Sequence, residues 1–361
     1  ALTQVQDGDS IYVAQGTYTG TGGSVITVTK SFVLYGGWDG SINTPLVRDP
    51  RAFATIVDGE GQRRGMYISG IITPTIDGFV ITGGEAQDGG GIYIYDAAPI
   101  IQNNVITANH TITSSFDGGR GGGIFVAGTS NAIIAANAIL SNASGYGGGI
   151  FHDGDMAITI AGNRIAENLA SRRAGGIMIE RSPDTIRANV IADNAAAIDG
   201  GGMLIWAAAP SVDANRIINN TAFSGGGIRL GNNAMPILVN NLLIRNSRDG
   251  LSVESSSPLV VNNTIVGSGL PDSGHAIHLY SDPVCTPPYC TTGSITNNIV
   301  ISYEVGIFGT GTITPVIDYN DVWGNTTDDY SLPVSVVPGT HNISFDPLFA
   351  DTTVDGYHLR T

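Results

Sequence analysis

Two stretches of this chain carry side chains that could do chemistry together. His152-Asp153-Gly154-Asp155 and, one repeat further on, Glu180-Arg181 put three carboxylates and an arginine at about the same turn. Carboxylates converging on a glycosidic oxygen serve a hydrolase, and the same oxygens suit calcium. The second stretch is basic. Arg120, Arg172 and Arg173 fall at equivalent turns of successive repeats, in company with Asp117 and Asp199. An arginine beside a sugar carboxylate is the base that an elimination reaction needs. Each set also has a plainer reading, as solvated turn residues paired from one repeat to the next. A third set, Arg164, Arg187 and Arg216 with Asp213, reads either as an anion-binding strip or as a ladder of alternating charge.

Other chemistries find less support. Among six histidines, His275 and His278 alone approach a metal-ligand spacing. On a strand, residues three apart are expected to point to opposite faces. Cys285 and Cys290 are the only cysteines. Four residues between them allow a disulfide, and two thiols are too few for a zinc site. The glycine triplets begin strands instead of ending one before a helix, so they are not phosphate or dinucleotide loops. No cofactor is expected, calcium at the acidic turn being the one exception. The formal net charge of −15, with Lys30 the only lysine, argues against nucleic acid and anionic membranes as partners. No apolar run approaches the length of a membrane-spanning helix.

These residues sit on a repeat. Its unit is a glycine block, an apolar stretch, a polar break, a second apolar stretch, and then Asn-x-(Ile/Val/Leu) followed by another Asn. The first asparagines are Asn104, Asn137, Asn163, Asn189, Asn215 and Asn241, spaced 33 and then 26 residues apart. Five residues after each comes Asn109, Asn142, Asn168, Asn194, Asn220 or Asn246. A fixed period of this length means a solenoid. Glycine triplets and short β-rich runs exclude helical repeats. The expectation is an all-β, single-domain right-handed parallel β-helix of about eleven to thirteen coils, each holding three short strands. Asparagines would form a ladder, and would also take the left-handed backbone at the corners. Gly78, 26 residues before Asn104, is expected in phase with that column.

Along the strand that follows the glycines, Ile92, Ile124, Ile150 and Ile177 should point inward, as should Ile94, Val126, His152 and Ile179 two residues later. Between them lies an outward column of Tyr93, Phe125, Phe151, Met178 and Leu204. An exposed apolar stripe of this kind implies a cover, a stacked sugar or a dimer face. The organisation reads as one continuous domain. Residues 1–60 form lead-in coils and 61–246 the regular coils. Residues 247–361 form irregular C-terminal coils with a disulfide-closed loop.

The opening segments DGDSIYVAQGTYTG, KSFVLYGGWDG, TIVDGEGQ and IDGFVITGG resemble the first coils of bacterial extracellular right-handed parallel β-helix repeat proteins. Some of these are similar to polymorphic outer-membrane repeats and some to pectate-lyase-like β-helices. Phe345-Asp346-Pro347-Leu348-Phe349 and Gly356-Tyr357-His358-Leu359 resemble the segment that precedes an anchoring tail in such proteins. The resemblance implies a secreted or cell-surface location. A chain opening at Ala1 without Met reads as a mature or excised fragment. The function expected is a structural stalk or a module binding a polysaccharide or another surface protein. The alternative is a polysaccharide lyase or glycoside hydrolase acting on the outer face.

Overall fold

The computed structural model describes residues 2–42, 46–112, 118–270, 273–282, 285–286, 289–351 and 357. The chain is an all-β parallel solenoid of about twelve turns. Three 12-stranded sheets run its length, and a 5-stranded sheet lies along one edge. Within a coil the chain visits the sheets in fixed order, as from Ile92–Tyr95 to Ile100–Gln102, Val105–Thr107 and His110–Thr111. We call the first of these the site sheet and the short fourth one the ridge.

The apolar residues dictate this winding. Each three- or four-residue strand offers one or two side chains to the interior. Ile92, Ile124, Ile150 and Ile177 stack above one another in register. The column of Ile94, Val126, His152 and Ile179 does the same, and all eight are buried. One continuous core results, in which each coil covers its neighbours and none could bury its own apolar face alone.

The corners are set by asparagine. Asn163 shows the pattern: its Nδ2 donates to the Ile134 carbonyl (2.8 Å) and to Asn189 Oδ1 (3.0 Å), and its backbone N–H donates to the same Asn189 oxygen (2.9 Å). Repeating this along the stack satisfies the buried amides. The asparagines do not themselves take the left-handed backbone, as expected from the sequence. The preceding residue does, including Ala136 (φ 54°), Ala188 (φ 53°) and Ala214 (φ 52°). The amide must point into the ladder, so the tight bend moves one residue upstream. For the same reason Gly78 is one residue out of phase with the column. Val80 pairs with Val105, so Phe79 aligns with Asn104 and Gly78 (φ 81°) with Asn103.

The second asparagine column, from Asn109 to Asn246, carries the ridge. Ridge strands His110–Thr111, Ala143–Tyr146, Leu169–Arg173 and Ala195–Ala196 each follow one of its asparagines, and Glu85–Ala86 follows Gly84 at the same place one coil earlier. The glycine blocks exist because the ridge that closes the same coil packs on them. A Cβ at Gly201 would sit 2.6 Å from the Thr221 backbone nitrogen, and one at Gly226 2.7 Å from that of Ser247. Past Ser247 coil length turns irregular, with ladder steps of 22, 35 and 22 residues, and the triplet gives way to Arg248-Asp249-Gly250 and Gly274-His275-Ala276. Cys285 and Cys290 form a disulfide. Phe349 and Tyr357 pack near the outer surface of the third sheet. Gly356, His358 and Leu359 of the C-terminal segment lie outside the described residues.

Candidate functional site

The residue before each glycine block, or one further back where Ala174 stands in for the first glycine, forms a column of its own along the ridge. Asp88, Arg120, Tyr146, Arg173, Asp199 and Ser224 pair one coil to the next. Two outward columns of the site sheet run beside it. One is Tyr93, Phe125, Phe151, Met178 and Leu204. The other, two residues on, is Tyr95, Ala127, Asp153, Glu180 and Trp206. Ridge and sheet meet in a groove of about 460 Å³ lined by Asp88, Arg120, Tyr146, Phe151, Arg173, Met178, Glu180 and Trp206.

This places the acidic turn and the arginine rim, which the sequence separates, in one site. Arg120 joins them. Its Nε and Nη2 grip Asp88 in a bidentate pair at 3.1 and 3.0 Å. Its Nη1 stands 3.6 Å from Asp153, and its guanidinium lies 4.8 Å over the Phe125 ring. The hydrogen bond to Asp88 holds the Arg120 guanidinium above its ordinary pKa. Arg181 closes a second ion pair on Asp153. Arg173 bonds Asp199 at 3.1 Å and lies 5.2 Å over the Trp206 ring. Arg172 turns aside and donates to the Tyr146 hydroxyl at 3.0 Å.

Glu180 differs from the other groove carboxylates. It pairs in register with Asp153 on the neighbouring strand, which puts the two backbones about 4.8 Å apart. Asp88, Asp153 and Asp199 each hold an arginine. Glu180 takes no hydrogen bond or ion pair from the described residues. Burial, then the charge of Asp153, pushes its carboxyl above the ordinary glutamate range, against the pull of Arg181, Arg120 and Arg173. A carboxyl raised in proton affinity thus stands beside a carboxylate held by two arginines, an arrangement that can serve acid–base chemistry.

Three expectations need correction. Asp155 is exposed and does not join Asp153 and Glu180, because the turn carries it past the end of the site-sheet strand. His152 points to the interior, as its place in the inward column predicts, and its Nδ1 meets Asp184 there at 2.8 Å. The apolar stripe is not an open face either. Phe125, Phe151, Met178 and Leu204 are buried together with Ala174 from beside the ridge, and Tyr146 packs on them. The chain supplies its own cover, and only the groove reaches part of the stripe. Asp117 lies outside the described residues. The arginine strip does not form as drawn: Val190 separates Arg164 from Arg216, and Arg187 with Asp213 sits on another sheet.

His275 and His278 do not point to opposite faces. Their rings are 4.8 Å apart, both against Asp249. His275 stands at the corner before regular alternation begins, as the consecutive burial of Ala276 and Ile277 shows. The two-residue period therefore does not yet govern it. Asp88, Tyr146, Trp206 and Asp249 escaped the sequence reading. The position preceding each glycine block was the signal available for the first two.

Residues 148–287 match the family described as right handed beta helix region. No curated protein matches the chain. Among solved structures, a DFA-IIIase from Arthrobacter chlorophenolicus A6 in complex with GF2 is 14% identical, with 90% of this chain and 69% of that chain covered and a TM-score of 0.36. A C387A mutant of that enzyme in complex with DFA-III is 15% identical, with 81% of this chain and 60% of that chain covered and a TM-score of 0.31. A mannuronic acid specific polysaccharide family 6 lyase from human gut microbiota is 13% identical. It covers 98% of this chain and 84% of that chain, with a TM-score of 0.41.

Proposed function

We propose that the groove binds a glycan chain and cleaves it by hydrolysis, with Glu180 as general acid and Asp153 as its ionised partner. The observation that carries this is the unpaired, half-buried Glu180 carboxyl in register with an Asp153 held by Arg120 and Arg181. Glu180 would protonate the departing glycosidic oxygen. Carboxylates on neighbouring strands suit the close spacing, about 5–5.5 Å, of enzymes that form a covalent glycosyl intermediate. Asp153 would attack the anomeric carbon, and water would then release the sugar with Glu180 acting as base. Tyr146 and Trp206 offer apolar surface to sugar faces.

Elimination fits less well. It needs a free base and a neutralised uronate. Here Arg120, Arg173 and Arg181 are all engaged by carboxylates. These arginines in and around the groove are each paired with a carboxylate, and this compensation suits a neutral glycan. The same compensation supports a second reading, a non-catalytic glycan-binding module. The disulfide supports an extracellular location for either. Incubation with panels of neutral and uronate-containing oligosaccharides tests this. New reducing ends without unsaturated ends are expected, and their loss in Glu180→Gln. Binding without cleavage would leave the module; unsaturated ends would show a lyase.

A further inference from the structure

Beyond the ridge, and independent of the groove, lies a second cluster that the proposed glycan chemistry does not use. Among the described residues, Asp249, His275 and His278 form the one group of three metal-ligating side chains that converges, with donor atoms all within 4.8 Å of one another. We propose that these three residues bind a divalent transition-metal ion, with open coordination positions on the side of the adjoining cavity.

The distances fit. His275 Nδ1 lies 2.9 Å and His278 Nδ1 3.6 Å from the same oxygen, Asp249 Oδ1. Donors bonded to one tetrahedral ion at about 2.0–2.2 Å are themselves about 3.3–3.5 Å apart. A small adjustment would therefore seat an ion among them. The other Asp249 oxygen is held by the backbone N–H of Gly225 at 3.3 Å, which fixes the carboxylate. Phe308 stacks flat on His275, with centroids 4.2 Å apart and planes 11° apart, and Tyr280 and Phe308 flank His278 at 5.1 Å. The imidazoles are thus oriented before any ion arrives. The Asp249 side chain is only 7% exposed, and a carboxylate so enclosed needs positive charge beside it.

The donor set names the class of ion. Two imidazoles and one carboxylate suit zinc, cobalt, nickel or iron(II), whereas calcium takes oxygen donors throughout. Three protein ligands are the mark of a site that keeps a place for water or substrate. The cavity beside it holds about 500 Å³ and is rimmed by Phe223, Ser224, Arg248 and Glu304. Fold logic explains why it forms here alone. Register aligns Asp249 and His275 with Gly226, a position that is glycine in every coil from Gly90 to Gly226. The end of the ridge frees that position for a side chain.

The test is titration of the chelator-treated, dialysed protein with Co²⁺ and with Zn²⁺. It is followed by cobalt visible absorption, by competition and by the shift in Tm. About one equivalent of Co²⁺ should bind with a ligand-field band, and Zn²⁺ should displace it and raise Tm. His278→Gln keeps a polar group beside Asp249 but loses the ligand. It should weaken binding at least about 10–100-fold, the range typical of a damaged metal shell, while circular dichroism stays unchanged. His341→Ala, in the remote pair with Asp318, should bind as the wild type does. No band and no Tm shift at about 100-fold excess metal over protein would overturn the proposal. So would undiminished binding in His275→Ala/His278→Gln.

Discussion

The coils from Asp88 to Ser224 and those from Arg248 to Phe308 share one sheet and one core, yet present different chemistry. In the first region the ridge leans on the glycine blocks and walls off a groove of paired charges over a buried aromatic stripe. In the second the ridge has ended, and the same corner bears Asp249 and His275 facing an open cavity. Arg229 marks the border, buried between Asp199 of one region and Glu254 and Tyr280 of the other. Burial pushes the Tyr280 hydroxyl up to about 12, against the pull of Arg229. The lesson is that backbone packing on one strip of glycine decides where this solenoid can place side chains. Sites appear beside the ridge or beyond it, never on the strip itself.

The most severe way to break that comparison is to exchange the two corner residues. Gly226→Asp drives a side chain into the Ser247 backbone, which has no room to yield inside a continuous ladder. Loss of about 4 kcal/mol or more, or failure to fold, is expected. Asp249→Gly should instead keep the fold and its circular dichroism while abolishing metal binding. Denaturant unfolding of both variants checks this, and equal stability would show that the ridge does not dictate the glycines. Next in size is the chemistry of the groove. Asp153→Asn and Glu180→Gln should each lower glycan cleavage by about 10²–10⁴-fold, the usual weight of a positioned acid or base. His278→Gln should leave cleavage untouched. An equal loss in His278→Gln would mean that the two regions form a single site.

The fold was legible because its signals are periodic. Two asparagine columns, the glycine blocks and the inward isoleucines each repeat in phase, and the structure returns all of them as ladders or core. The site was legible only in pieces. Asp153, Glu180, Arg181, Arg120 and Arg173 were visible as candidates, but not that Arg120 reaches across to Asp153. That contact depends on how far the ridge stands from the sheet, which spacing along the chain does not encode. Asp155 shows the converse: sharing a turn with Asp153 in sequence does not keep it on the same face. The histidine pair departs from alternation because His275 stands at a corner, one residue before the two-residue period takes hold.

A smaller effect separates the regions through their ladders. Asn194 stands in the column that carries the ridge, donating to Ile165 and Asn220 and accepting twice from Asn168. Asn298 makes the corresponding bonds in the first column, beyond the ridge. Each change to alanine should cost about 2–3 kcal/mol by leaving buried backbone groups unpaired. Only Asn194→Ala should also weaken glycan binding, since only it loosens the wall of the groove. Equal effects on binding would argue that the ridge is not that wall.

The smallest expected effect is the pH dependence of Glu180. Its folded carboxyl binds a proton more tightly than an ordinary glutamate. Its contribution to stability is therefore full below the ordinary glutamate range and is lost as pH rises through the folded value. Glu180→Gln removes that loss. The variant should match the wild type at low pH and become the more stable of the two above the raised value. The gain should be modest, because the partly exposed group is screened by water. Thermal unfolding of the pair across pH 4 to 8, bracketing the ordinary glutamate value of about 4.3, measures it. A variant that loses stability as pH rises would mean that Glu180 is ionised and paired at neutral pH. It would then be one more member of the ridge's charge ladder, and the groove would have no acid to offer.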